Sequence, residues 1–251
     1  METVTLLKLL SALIVLGGLF FLERLFPVAP RRGGVKRIGK NIGLAGINGL
    51  LSPLVIVPIA ALAAATAPAW RPAALDGGWG LALDLLLLDL WIYVWHRASH
   101  ETPFLWRFHE VHHLDEFLDV SSAVRFHFGE VILSALARGA VIFLLDIQLI
   151  SVLIFDALVL IFAAFHHANV ALPGGLERGL RVCVVTPSHH WVHHHRRRAD
   201  TDSNYGTVLT LWDRIFASFS TTERTPSMPI GTEGRREKSF VGLIARPLSK
   251  S

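Results

Sequence analysis

Apolar positions along the chain gather into four long runs. Residues 3–22 hold one charge, Lys8, and residues 41–69 hold none. Residues 79–95 carry only Asp84 and Asp89, and residues 131–165 only Arg138, Asp146 and Asp156. A helix needs about 20 predominantly apolar residues to cross the hydrocarbon core. The first two runs reach that length and the third approaches it. The fourth, 35 residues long, suits two short spans or a helical hairpin. The pattern predicts an all-α integral membrane helical bundle of four to five spans. A cleaved signal peptide is the alternative for residues 1–26, but the run is long and no A-x-A site closes it.

Composition supports this reading. With 52% apolar and 18% charged residues among 251, the chain lacks the polarity and net charge of a disordered protein. Its one cysteine, Cys183, excludes an internal disulfide framework, a cysteine-based zinc ribbon and an iron–sulfur cluster held by this chain alone. Positive charge marks the cytoplasmic side of a span. Arg31, Arg32, Lys36, Arg37 and Lys40 lie between the first two runs, whereas the next loop balances Arg71 against Asp76 and reads as outside. The third span returns near His96, followed by Arg97, Arg107 and Arg125. Residues 166–251 carry twelve Lys or Arg residues. All thirteen histidines then fall on the cytoplasmic side. The net charge of +4 follows this topology, and no recognition motif accompanies it, so nucleic acid is not an expected partner.

The histidines carry the candidate chemistry. His96 and His100 are one helical turn apart. His109, His112 and His113 form an HxxHH cluster, and His190, His193 and His194 repeat it. Positions i, i+3 and i+4 lie on one side of an α-helix, so each HxxHH is expected to present three imidazoles as one patch. Neutral imidazole is a ligand for Fe, Zn, Cu and Ni, and a site without thiolate argues against copper(I). Eight imidazoles exceed the needs of one ion and suggest two metals. Packed cationic histidines would repel and buried neutral ones need partners; metal resolves both. His109-Glu110-Val111-His112-His113 also matches H-E-x-x-H, the zinc-protease pattern with Glu as base, but that reading leaves the other clusters unexplained. A non-catalytic membrane metal-binding protein is a third reading.

The ordered set HxxxH, HxxHH, HxxHH among membrane spans resembles the fatty acid hydroxylase and sterol desaturase superfamily. Arg125-Phe-His127-Phe-Gly-Glu130 is similar to that family's R-x-H-P-x-E, His167-Ala-Asn169 to its H-x-N, and Thr186-Pro187 to the T-P before its last cluster. Asn204-Tyr205-Gly206 and Leu211-Trp212-Asp213-Arg214 resemble its closing segments. Two departures are Phe128 in place of Pro, and Ala217-Ser218 in place of Gly-Thr.

The resemblance implies a non-haem di-iron oxygenase that uses O2 and two electrons to hydroxylate or desaturate a lipid. Sterol, fatty acyl chain, ether lipid and carotenoid all fit. The implied metal ligands are His96, His100, His109, His112, His113, His190, His193 and His194. His127 and His167 join them as ligands or as hydrogen-bonding supports. Two iron ions are the expected cofactor, with zinc able to substitute in recombinant protein. Electrons must come from an external ferredoxin- or cytochrome-type donor, because no dinucleotide fingerprint or fused electron-transfer segment is visible. His166, His189 and His195 flank the pattern and are expected to face solvent, while Arg196-Arg197-Arg198 is read as a headgroup-facing surface rather than a catalytic element. Asp89 and Asp156 lie on the helix faces of His96 and His167, either orienting a ligand imidazole or bonding helix to helix. Residues 1–83 are read as N-terminal transmembrane helices, 84–216 as the catalytic domain with a cytoplasmic histidine-rich helical cap, and 217–251 as a basic cytoplasmic tail.

Overall fold

The computed structural model describes residues 2–75 and 77–249, with side chains from Ile14 onward. Asp76, Lys250 and the Lys8 side chain lie outside the described residues. Twelve α-helices and a few shorter 3-10 and π turns follow one another among the described residues, and the only β pairing there is isolated bridges. They are α1 (Glu2–Leu25), α2 (Gly34–Leu51), α3 (Val57–Thr66), α4 (Gly78–Glu101), α5 (Pro103–His113), α6 (Phe128–Leu145), α7 (Leu149–His167), α8 (Gly174–Cys183), α9 (Pro187–His193), α10 (Arg198–Thr201), α11 (Leu211–Ile215) and α12 (Phe240–Ile244).

The apolar runs become the long helices. Four continuous helical stretches are long and apolar enough to cross a membrane: Gly34–Thr66, Gly78–Glu101, Phe128–Leu145 and Leu149–His167. α1 covers the remaining run and packs on α7. The chain is a multi-pass membrane protein. The 35-residue run is a helical hairpin, turned at Asp146, whose left-handed backbone ends α6. α2 and α3 are joined through a π-turn over Ser52–Ile56. Pro53 accounts for it, since a residue without an N–H cannot donate to the carbonyl one turn back. α3 packs on α6. At that crossing a Cβ on Gly139 would stand 2.9 Å from Ile59 Cγ2, so the close approach depends on glycine.

Two Thr-Pro steps shape the polar end of the bundle. Thr102 and Thr186 are extended, and Pro103 and Pro187 occupy the first turns of α5 and α9. A residue before proline avoids the helical region, and proline suits a helix start because its missing N–H would have no partner there. The chain therefore breaks after α4 and folds α5 back against it. Arg37 of α2, mostly buried, forms ion pairs with Asp115 and Asp119 and ties α2 to the loop after α5.

Candidate metal centre

Histidines from α4, α5, α7 and α9 converge in two buried groups. In one, His96, His100, His109, His113 and His193 bring a ligand nitrogen each within 4.8 Å of one another. In the other, His112, His167, His190 and His194 do the same. Neither HxxHH motif acts as one patch: α5 sends His109 and His113 to the first group and His112 to the second. α9 and the residue that ends it do the reverse: His193 goes to the first group, while His190 and His194 serve the second. The reason is angular. Consecutive residues on a helix point about 100° apart, so adjacent histidines cannot readily share one ion.

The hydrogen bonds fix the tautomers. The Nδ1–H groups of His96, His193, His112 and His167 donate to the carbonyls of Tyr205 (2.8 Å), Ser203 (2.7 Å), Arg125 (3.1 Å) and Ala163 (2.7 Å). His109 Nδ1–H donates to Glu130 Oε1 at 2.7 Å, and His100 Nδ1 lies 3.4 Å from Asp202 Oδ1. Each such bond leaves the opposite nitrogen, Nε2, with a free lone pair, the usual support for a metal-bound imidazole. Nε2 of His100, His109, His113 and His193 is buried with no protein partner. Nε2 of His167 lies 3.2 Å from that of His112 and 3.1 Å from that of His190, which in turn lies 3.1 Å from that of His194. An ion bonded to imidazole at about 2.1 Å holds its ligand nitrogens roughly 3.0–3.4 Å apart, from octahedral to tetrahedral geometry. The second group has that spacing. Burial first, and neighbouring imidazoles second, hold His112, His113, His190, His193 and His194 well below the ordinary imidazole pKa. They are neutral at pH 7, the form in which imidazole binds metal.

Among the ten histidines expected at the site, His127 stands outside both groups. Its Nδ1 accepts from Gly129 N–H as the N-cap of α6, and its Nε2–H donates to the Ile244 carbonyl at 3.0 Å. Both ring nitrogens are used. The flanking histidines also differ from expectation. His166 and His189 are 2% exposed; His166 lies against His190 with ring centroids 3.9 Å apart, and His189 Nε2 meets Asp213. His195, half-buried, pairs with Asp200 at 2.6 Å. The two intramembrane carboxylates bond helix to helix or helix to loop. Asp89 accepts from Trp212 Nε1 at 2.8 Å, and Asp156 pairs with Arg138 of α6 at 2.6 Å. Arg196 and Arg197 are exposed, whereas Arg198 covers the Trp106 ring and bonds the His100 carbonyl. Glu110, fully buried, turns away from the histidines into ion pairs with Arg246 and, at 2.9 Å, Arg235.

Sequence reasoning quoted Glu130 in a motif without giving it a role, and it missed Asp202. The carbonyls of Arg125, Ser203 and Tyr205 had no signal to find, because a backbone oxygen is present at every residue. A cavity of about 450 Å³ opens beside the groups, walled by His96, His109, His112, His166, His167 and His190 at one end. It continues between α2, α4, α6 and α7, with a mostly apolar lining.

The fatty acid hydroxylase family model matches residues 81–218, which include every histidine of both groups. The chain belongs to the fatty acid hydroxylase family. Among curated relatives of this family member, an ornithine lipid hydroxylase from Rhizobium tropici is 28% identical over 210 residues, 84% of this chain and 62% of that protein. Human alkylglycerol monooxygenase is 32% identical over 145 residues, 57% of this chain and 31% of that one. Mouse lathosterol oxidase is 28% identical over 168 residues, 66% of this chain and 51% of its own. The chain thus spans less than two thirds of each of these proteins. No solved structure matches it.

Proposed function

We propose that this fatty acid hydroxylase family member is a membrane-bound non-haem di-iron oxygenase that inserts oxygen into, or desaturates, a C–H bond of a lipid. The observation that carries the reading is the pair of buried all-imidazole groups at one end of an apolar cavity between membrane helices. His96, His100, His109, His113 and His193 would hold one ion, and His112, His167, His190 and His194 the other. His96, His109, His112, His167 and His193 fit such ions, because their Nδ1–H bonds to carbonyls and a carboxylate turn Nε2 inward. Two irons, when bound, would pass electrons to O2 so that it can attack an unactivated C–H bond.

The protein's own groups prepare the site. Glu130 and the loop carbonyls hold ring orientation and keep the ligand nitrogens unprotonated. The cavity walls, among them Ile56, Ile92, Val131, Val159 and Leu160, take an alkyl or ring system out of the bilayer and exclude water. In hydroxylation one oxygen atom enters the lipid and the other leaves as water, consuming two electrons and two protons. Those electrons come from an external ferredoxin- or cytochrome-type donor, and the positive loops support a cytoplasmic side for the centre. The relatives act, by name, on an ornithine lipid, an alkylglycerol and lathosterol, which supports a lipid substrate for this chain. Glu110 is engaged by two arginines, which disfavours a zinc protease built on H-E-x-x-H.

The test is iron-loaded protein in liposomes of extracted bilayer lipid, supplied with a reductant and air or argon. The expected result is an oxygenated or desaturated lipid that appears only with iron, reductant and O2 together. Equal product from metal-free protein would overturn the reading.

A further inference from the structure

The cavity holds a polar cluster that the metal chemistry does not use. Arg138 of α6 and Asp156 of α7 line it and pair at 2.6 Å, midway along two membrane-length helices. Side-chain exposure of 14% for Arg138 and 31% for Asp156 leaves the pair open on one side. Ser134, one turn from Arg138, lines the same wall. Asn48 and Ser52, one turn apart, line the part of the cavity nearer the histidines, where Phe126 stacks on His112. Asn48 Nδ2 donates to the Phe126 carbonyl, but its Oδ1 is buried with no partner. Ser52 begins the π-turn, a departure from α-helix that is frequent at functional sites. Ionisable residues inside a membrane are expensive and commonly mark a substrate path. From Glu130, at the metal groups, to Arg138 the helix runs about 12 Å.

We infer that Ser134, Arg138 and Asp156 form a subsite for a neutral hydrogen-bonding group of the lipid, of the hydroxyl class, about 12 Å along α6 from the histidines. This rests on the oxygenase reading for its role in catalysis, though not for binding itself. Charge selects the ligand class. The ion pair has no net charge, so a carboxylate or phosphate would meet Asp156 and an amine would meet Arg138. A hydroxyl donates to Asp156 while accepting from Arg138 or Ser134. The substrate is thus an amphiphile whose polar group enters the membrane interior, with the reacting carbon separated from it by an apolar stretch.

The experiment measures binding of tritiated hexadecan-1-ol to the purified full chain in detergent, competed by hexadecane, palmitate or hexadecylamine. The alcohol is expected to compete about tenfold more strongly than each of the others, the difference of one hydrogen bond to a charged group. Arg138→Met with Asp156→Leu removes both charges together and is expected to bring the alcohol-to-alkane ratio near one while alkane binding persists. Equal competition by alcohol and alkane in the wild type, preference for palmitate or the amine, or a double variant that keeps the alcohol preference would overturn the subsite. Should the double variant not fold, the wild-type series still decides, and Ser134→Ala is expected to lower the ratio. Failure of the oxygenase reading would register separately, as absent iron-dependent O2 consumption with the binding ratios unchanged.

Discussion

Glu130 and Glu110 are both buried carboxylates beside histidines, with opposite duties. Glu130 accepts the Nδ1 proton of His109 and lies at the cavity edge. Removing such a support commonly costs 10–100-fold in metal affinity. Glu130→Ala is expected to lower metal affinity by about that factor, and Glu130→Gln by less because its amide oxygen still accepts. Competition with a chelator measures it, and unchanged affinity in the alanine variant would contradict the role. Glu110 neutralises Arg246, itself 2% exposed, behind α5. Glu110→Gln leaves a buried guanidinium without its carboxylate and is expected to cost about 3–5 kcal/mol of stability. Adding Arg246→Met should recover much of it, with metal bound per folded chain unchanged in both variants. The H-E-x-x-H spacing was legible, but spacing does not say what the glutamate meets. A residue one position after a histidine points about 100° away from it, and here that direction leads to the C-terminal segment.

Elements bring these residues together, and their legibility was uneven. The long helices and the turn at Asp146 followed from long apolar runs with few charges, because a membrane-length helix must satisfy its own backbone. The Thr-Pro steps explain why α5 and α9 start where they do. The division of each HxxHH between two groups needed the packing of α4, α7 and α9 around α5. The segment from Ser203 to Ser218 was legible only as a resemblance. Asp213 organises it, accepting from Tyr205 N–H at 2.8 Å, Gly206 N–H at 2.9 Å and Ser218 Oγ at 2.7 Å. That arrangement turns the Tyr205 carbonyl toward His96. A Cβ on Gly206 would stand 2.6 Å from the Leu209 carbonyl oxygen and 2.8 Å from Asp213 Oδ2. Gly206→Ala is therefore expected to cost about 1–3 kcal/mol by overpacking and to weaken metal binding through His96. Thermal unfolding with and without metal checks both. A wild-type profile would place the loop outside the site's support.

At the scale of the whole molecule, the segment read as a basic tail folds back as a clasp. Arg235 and Arg246 hold Glu110, Glu237 pairs with Arg125 at 2.9 Å and Lys40 at 2.7 Å, and the Ile244 carbonyl accepts from His127. Leu243 is buried against Leu44, Val111 and Leu114. Ending the chain before Arg235 is expected to destabilise the protein and release metal, read by unfolding temperature and bound metal; an unaltered protein would contradict the clasp. The metal itself should act across the fold, since α4, α5, α7 and α9 all contribute histidines. Without ions their buried, unpartnered nitrogens remain a cost, so chelation is expected to lower the unfolding temperature and re-addition to restore it. The most direct test is the transition-metal content of purified protein expressed with added iron, counting iron and zinc together. Two ions per chain, falling to about one when His112, His190 and His194 are all replaced by Ala, is the expected result. One ion per chain in the unmodified protein, or none, would contradict a two-metal centre.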